Sequence, residues 1–294
     1  MTNTLIQLAL GFIISAAIGM LAYRKGALSK SGVAGAMLTG TLIFGFGGWT
    51  WGLLLITFFV ASSLLSRYKE TLKESLAEKF AKGSRRDLGQ ALANGGMGAL
   101  LALAYAIVPH PAWFYAFVGA MATVNADTWA TELGVLSRKP PRLITTGKPV
   151  DVGTSGGVSA MGTLATTAGG GLIGLSAALF LSIESGIRQT SNVSPPTPYS
   201  LLPTPYSLLP TPTLLLVGAL SGLAGSLCDS FLGATVQAIY YSPVRQKETE
   251  KVIDPDGTPN RLLRGWRWLN NDWVNFISSA FGALVGAGLW QVIS

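Results

Sequence analysis

The chain has 294 residues, of which 49% are hydrophobic and only 12% charged, with 36 glycines and a formal net charge of +7. Soluble domains carry about a quarter charged residues, so this composition excludes a soluble globule, and with it a basic nucleic-acid-binding face; no nucleic-acid partner is expected. One cysteine (Cys228) and one histidine (His110) rule out an internal disulfide, a thiolate cluster, a histidine metal site and a Ser-His triad.

Apolar runs of roughly 20 residues mark membrane spans. In chain order the candidates are residues 4–23, 33–48, 50–66, 89–108, 112–134, 157–182, 213–241 and 272–293. The expected fold is an all-α, polytopic transmembrane bundle of seven or eight spans forming a single domain over 1–294. The count turns on Gly47-Gly48-Trp49, which reads as a tight outer hairpin or a re-entrant piece. The first basic residue, Arg24, follows the first apolar run, so that run reads as a span and not a cleavable signal. Residues 67–87 place Leu72, Leu76 and Phe80 four apart among mixed charges, which predicts an amphipathic helix on the inner surface. Residues 190–212 hold the tandem Thr-Pro-Tyr-Ser-Leu-Leu-Pro at 197–203 and 204–210 and read as an outer, proline-rich insertion of low complexity.

The loops between spans carry three Lys and Arg at 24–30, seven at 67–86, four at 138–148 and six at 245–267, leaving only Arg188 elsewhere. An eight-span bundle with the N-terminus outside puts all four loops on the cytoplasmic side, as the positive-inside bias requires. Trp49, Trp51, Trp113 and Trp290 then fall near outer helix ends, and Trp266, Trp268 and Trp273 near the inner interface.

Polar residues within spans gather at that inner side. The run 112–134 carries Asn125, Asp127, Thr128 and Glu132 in its inner half, and 213–241 carries Asp229. The last span begins at Asn271, Asp272 and Asn275, and 89–108 has Asn94 near its start. Ionisable groups inside a membrane are costly and mark function by default. Without histidine or cysteine, carboxylate oxygens suit Mg²⁺. Asn125, Thr128 and Glu132 share a helix face from which Asp127 diverges.

The inner loop holds Arg142 and Lys148 and runs through Gly153-Thr154-Ser155-Gly156-Gly157 into the next span. Glycine-rich backbone at a helix start, with basic side chains nearby, suits a phosphate, although the P-loop pattern is absent. Acids for a metal beside bases for phosphate point to phosphoryl transfer from a nucleotide.

Four ordered stretches resemble an integral-membrane family that contains phytyl-phosphate kinase: Asn125 through Gly134, Pro141 through Ser159, Gly225 through Gln237, and Asn270 through Asn275. The first two are also similar to elements of CTP-dependent polyprenol and lipid kinases, with Asn-Ala-Asp in place of Gly-Asp. The resemblance implies phosphorylation of phytyl phosphate or a similar prenyl phosphate to the diphosphate, in phytol salvage toward tocopherol and phylloquinone, with CTP as donor and Mg²⁺ as cofactor. Carried onto this chain, it implies Asp127, Glu132 and Asp229 at the metal, and Lys148 with them in catalysis. It also implies Arg142, Lys148 and Gly153 through Gly157 at the nucleotide phosphates, and Asn94, Asn125, Asn271, Asp272 and Asn275 as substrate-positioning groups. The setting is a bacterial plasma or thylakoid membrane, with the catalytic face cytoplasmic. Two rivals remain at this stage. A secondary transporter would use the acidic residues as an ion site, and an assembly factor of the photosynthetic membrane would need no aligned acids.

Overall fold

The computed structural model describes residues 2–68, 85–191 and 211–293. The amphipathic segment expected at 67–87 and the proline-rich insertion at 190–212 lie almost entirely outside these residues. Among the described residues are eight α-helices: α1 (Thr2–Arg24), α2 (Lys30–Leu42), α3 (Trp49–Arg67), α4 (Leu88–Ile107), α5 (Pro111–Gly134), α6 (Ala160–Ser191), α7 (Thr211–Thr235) and α8 (Asn271–Ile293). The all-α membrane bundle expected from the sequence is borne out. Large apolar side chains such as Leu5, Ile13, Leu64, Leu164, Leu179, Leu216 and Leu284 point outward, as lipid-facing surfaces require and water-facing ones do not tolerate in such number.

Local chemistry sets the helix ends. Ser29 caps α2 by accepting from Gly32 N–H at 3.0 Å. Asp87 and Gln90 form a capping box at the start of α4. His110 caps α5, its ring nitrogen accepting from Ala112 N–H at 3.2 Å, with Pro111 in the first turn where no donor is needed. Between α2 and α3 the chain makes a π-helical turn, Ile43–Gly47, and reverses at Gly48, whose φ of +87° only glycine adopts readily.

Among the described residues, six helices or segments of them are long and apolar enough to cross a membrane: Thr4–Arg24, Trp49–Arg67, Leu88–Ile107, Ala160–Ile187, Pro212–Thr235 and Asn271–Ile293. The two others depart for different reasons. α2 is short and finishes in the π turn. α5 is long but sheathed by α3, α4, α6, α7 and α8, and every residue from Phe114 to Ala126 is buried. A helix that touches protein on all sides needs no lipid-facing apolar stripe.

Close packing around α5 relies on small residues and rings. Asn125 Nδ2 donates to the Gly169 carbonyl of α6 at 2.7 Å, and Thr123 Oγ1 to the Ser221 carbonyl of α7 at 3.1 Å. Trp51 stacks on Phe117 at 4.3 Å between centroids and is only 2% exposed. It is therefore a core residue and not the outer interface anchor expected from its position.

Two small sheets at the basic end were not foreseen. β1 (Arg142–Leu143) pairs with β2 (Gly157–Val158), folding the glycine-rich loop back on itself. The segment after α7 forms β3 (Ile239–Ser242), β4 (Lys247–Thr249) and β5 (Arg261–Arg264), antiparallel in the order β4-β3-β5. Helix α7 thus stops at Thr235 where the apolar run to 241 had predicted more helix. In this sheet Asp254 accepts from Ser242 Oγ and pairs with Arg245, and the Ser242 hydrogen bond foremost holds its carboxyl below the ordinary value. A lowered carboxylate pKa stabilises the fold above the unfolded value of about 3.9 and loses that contribution as the pH falls through the lower folded value. Hydrogen exchange across 239–264 is therefore expected to match at pH 7 and pH 5 after correction for intrinsic rate, and to rise selectively below about pH 4; Asp254→Asn should raise it already at pH 7.

Candidate functional site

Contacts between loops place the basic segments at one end of the bundle. Ser29 N–H donates to the Arg86 carbonyl and Arg86 N–H to the Ala27 carbonyl, tying the α1–α2 turn to the start of α4. Ser66, at the end of α3, donates to Glu132 Oε1 of α5 at 2.6 Å. A cavity opens at this end between α5, α6 and α7 and beneath the glycine-rich loop.

Asp127 enters the cavity from α5 and Asp229 from α7. Each carboxylate accepts a serine hydroxyl from a neighbouring helix: Ser226 for Asp127, and Ser278 of α8 at 3.2 Å for Asp229. The two are close enough to repel one another. Gly153 through Gly157 form the roof. Gly153 and Gly156 have φ of +81° and +85°, and a Cβ on Gly156 would lie 2.6 Å from Ala234 N, so glycine lets the loop rest on the end of α7. Thr154 and Gly157 N–H groups bond within the turn, to the carbonyls of Asp151 and Thr154. Ser159 caps α6, accepting from Gly162 N–H at 3.1 Å.

Two site residues escaped the sequence reading. Glu250, just after β4, lines the cavity and accepts from Ser155 Oγ at 2.9 Å and Gln237 Nε2 at 2.8 Å, pinning the loop to the inner sheet. Arg264 of β5 braces the same corner, donating to the Gly233 carbonyl at 2.6 Å and to Ser155 O at 3.4 Å; burial lowers its pKa against the opposing pull of Glu248 and Glu250. Both sit in a stretch whose only legible feature was its positive charge.

The remaining expected site residues divide. Asn271 lines the cavity. Glu132 does not: five positions beyond Asp127 it lies roughly 140° around α5, bonded to Ser66 and facing Arg86. The metal set Asp127, Glu132 and Asp229 is therefore not assembled, and among the described residues no three acidic, histidine or cysteine side chains are grouped to hold a metal ion. Arg142 and Lys148 lie on the exposed hairpin, where the Arg142 guanidinium donates to the Gly147 carbonyl at 2.8 Å; neither lines the cavity. Asn125 does not line the cavity: its Nδ2 bonds to Gly169 between α5 and α6, and its Oδ1 is buried with no hydrogen-bond partner among the described residues. Asp272 stands in the first turn of α8 outside the cavity, and Asn275 Oδ1 is buried without a hydrogen-bond partner. Asn94 lines a different, apolar cleft.

The bundle and its acidic cavity define a polytopic membrane protein with a polar site at its basic end. The chain belongs to the family described as Integral membrane protein DUF92, whose model matches residues 13–283. It is 34% identical to Protein PGR of Arabidopsis thaliana over 94% of both chains. An uncharacterized membrane protein of Methanocaldococcus jannaschii is 29% identical over 97% of this chain and 94% of its own. Protein VTE6, chloroplastic, of Arabidopsis thaliana is 28% identical over 90% of this chain and 66% of its own. Membership bears out the family resemblance drawn from the four motifs. No solved structure gives a significant match.

Proposed function

We propose that the chain is a kinase that transfers a phosphoryl group from a nucleoside triphosphate, CTP the favoured donor, to a prenyl phosphate such as phytyl phosphate held in the bilayer. The observation that carries this reading is one cavity at the basic end that unites Asp127 and Asp229 from facing helices with the Gly153–Gly157 roof. An oxygen of the acceptor phosphate attacks the γ-phosphorus, the bond to the β–γ bridging oxygen breaks, and prenyl diphosphate and nucleoside diphosphate leave. The acceptor is already an anion, so no strong base is needed, and catalysis reduces to placement and charge.

The donor set fits Mg²⁺. Three carboxylates line the cavity, and among the described lining residues there is no Lys or Arg. The charged side chains an anionic nucleotide would meet there are all negative, so a cation must stand between. Mg²⁺ takes one or two carboxylates and completes its shell with phosphate and water oxygens, so Asp127 and Asp229 would hold it and the third carboxylate is not required. When bound it would offset the phosphate charge. Glu250, bonded to Ser155 and Gln237, keeps the roof in place, and Lys148 and Arg142 on the hairpin would attract the nucleotide from outside. A site at the end of a membrane-spanning bundle supports a lipid substrate, and the clustering of the basic loops at that end supports a cytoplasmic face.

The test is direct. Purified protein in lipid nanodiscs is incubated with phytyl or geranylgeranyl phosphate, Mg²⁺ and CTP, UTP or ATP, and prenyl diphosphate is quantified by mass spectrometry. Product that requires both nucleotide and Mg²⁺ is expected. No product with any donor, combined with undiminished nucleotide binding by Asp127→Asn, would sink the reading in favour of an ion-coupled transporter.

A further inference from the structure

A second cleft, a groove open along one side, lies between α1, α2, α3 and α4. Its walls are apolar, with Ile14 and Ile18 of α1, Ala36 of α2, Leu55 and Phe59 of α3 and Ala91 of α4. Its inner end is closed by one charged group, Arg86, whose guanidinium lies 5.6 and 5.8 Å from the centroids of Phe58 and Phe59. Burial lowers Arg86 to a pKa of about 10, which leaves it cationic at neutral pH.

Arg86 also lines an adjoining polar recess with Lys25, Ser63, Ser66 and Arg67. Three cations thus line the recess, and among the described residues the carboxylate that faces Arg86 is Glu132, already engaged by Ser66. Ser63 Oγ is buried there with no hydrogen-bond partner. A buried hydroxyl left unsatisfied costs stability, so the recess is built for an acceptor that the described residues do not supply. Lys25 and Arg67 stand at the inner ends of α1 and α3, the level of lipid phosphates in a spanning bundle.

We infer that this cleft is a binding site for an anionic bilayer phospholipid: one acyl chain lies between α1, α2, α3 and α4, and the phosphate sits against Arg86, Lys25 and the Ser63 hydroxyl. Charge complementarity selects an anionic head group over a zwitterionic one, and a second chain lies along the exposed apolar flank of α1, where Ile13 and Leu21 face outward. The site is not the acidic cavity, because Glu132 and Asp127 face opposite sides of α5, and it does not depend on the proposed activity. A lipid there would clamp α1, which packs on α2, to the start of α4, on which α2 packs.

Native mass spectrometry of the full chain released from mixed phosphatidylcholine–phosphatidylglycerol nanodiscs, with geranylgeranyl phosphate added to a parallel sample, tests this. The wild type is expected to retain one phosphatidylglycerol and no phosphatidylcholine. Arg86→Gln should weaken retention about tenfold or more, the loss of a charge-assisted contact. Ser63→Ala removes a hydroxyl that has no protein partner, so it should fold as well as the wild type without lipid yet hold phosphatidylglycerol several-fold less tightly; it decides the matter if Arg86→Gln does not fold. Arg142→Gln, on the exposed hairpin, should bind as the wild type. Equal retention of both lipids, unchanged retention in Ser63→Ala, or retention of geranylgeranyl phosphate in place of phosphatidylglycerol would each overturn the proposal.

Discussion

Asp127→Asn is expected to reduce prenyl-phosphate phosphorylation by about 10²–10³-fold while leaving the bundle intact, an effect on the scale of removing one preorganised electrostatic group from an active site. The substitution keeps the shape of the side chain, and the remaining amide oxygen still accepts from Ser226. What disappears is half of the paired charge that would hold Mg²⁺ between α5 and α7. Asp229→Asn should match it, since Ser278 can donate to the amide oxygen as it does to the carboxylate. If the two acids share one ion, the double variant loses little beyond the worse single one, because groups that act as a unit are not additive. Both variants should need more Mg²⁺ for half-maximal rate. Glu132→Gln supplies the contrast: its partner is Ser66 of α3, outside the cavity, so thermal stability should suffer more than turnover. A Glu132 variant as inactive as Asp127→Asn would contradict the division of roles drawn from the geometry.

Hydropathy made the helices legible because lipid leaves few options: a backbone in hydrocarbon must satisfy its own hydrogen bonds, and an apolar run of about 20 residues has little else to become. Where that constraint ends, reading failed. The apolar run to Tyr241 cannot be told from helix by composition, yet Ile239–Ser242 is strand, in register with Lys247–Thr249 and Arg261–Arg264. The acids were legible by the cost of placing them in a span, and Asp127 and Asp229 do meet. Helical periodicity already separated Asp127 from Asn125, Thr128 and Glu132, and the structure gives the latter face its partners, Gly169 for Asn125 and Ser66 for Glu132. Glu250 was hidden for the opposite reason. It lies outside any span, so its charge costs nothing in the sequence, and only the fold of β4 against β3 carries it under the loop.

Replacing Gly218 by Ala is expected to destabilise the protein by about 1–3 kcal/mol, the usual cost of forcing atoms into a filled contact. Gly218 on α7 and Gly170 on α6 lie so close that a Cβ on either would stand 2.5 Å from the other's carbonyl oxygen, and on Gly218 it would also meet Gly174 N at 2.7 Å. Neither neighbour is the end of a flexible side chain, so the helices themselves must part. In a bilayer that contact is the main source of association, since lipid offers apolar surface as readily as another helix does. The consequence reaches the site, because α7 carries Asp229 and α6 begins where the Gly153–Gly157 roof ends. A shift of about 1 Å between reacting groups can cost a hundredfold in rate. Gly218→Ala should therefore lose turnover by more than its stability loss alone explains, measured well below its melting temperature in nanodiscs. Gly288→Ala on α8 is the control: nothing lies within 4 Å of the added methyl, and alanine in an exposed helical position should be neutral or stabilising by roughly 0.5–1 kcal/mol. Equal behaviour of the two variants would mean that α6 and α7 are not held at this crossing, and the acidic pair would then lose its support.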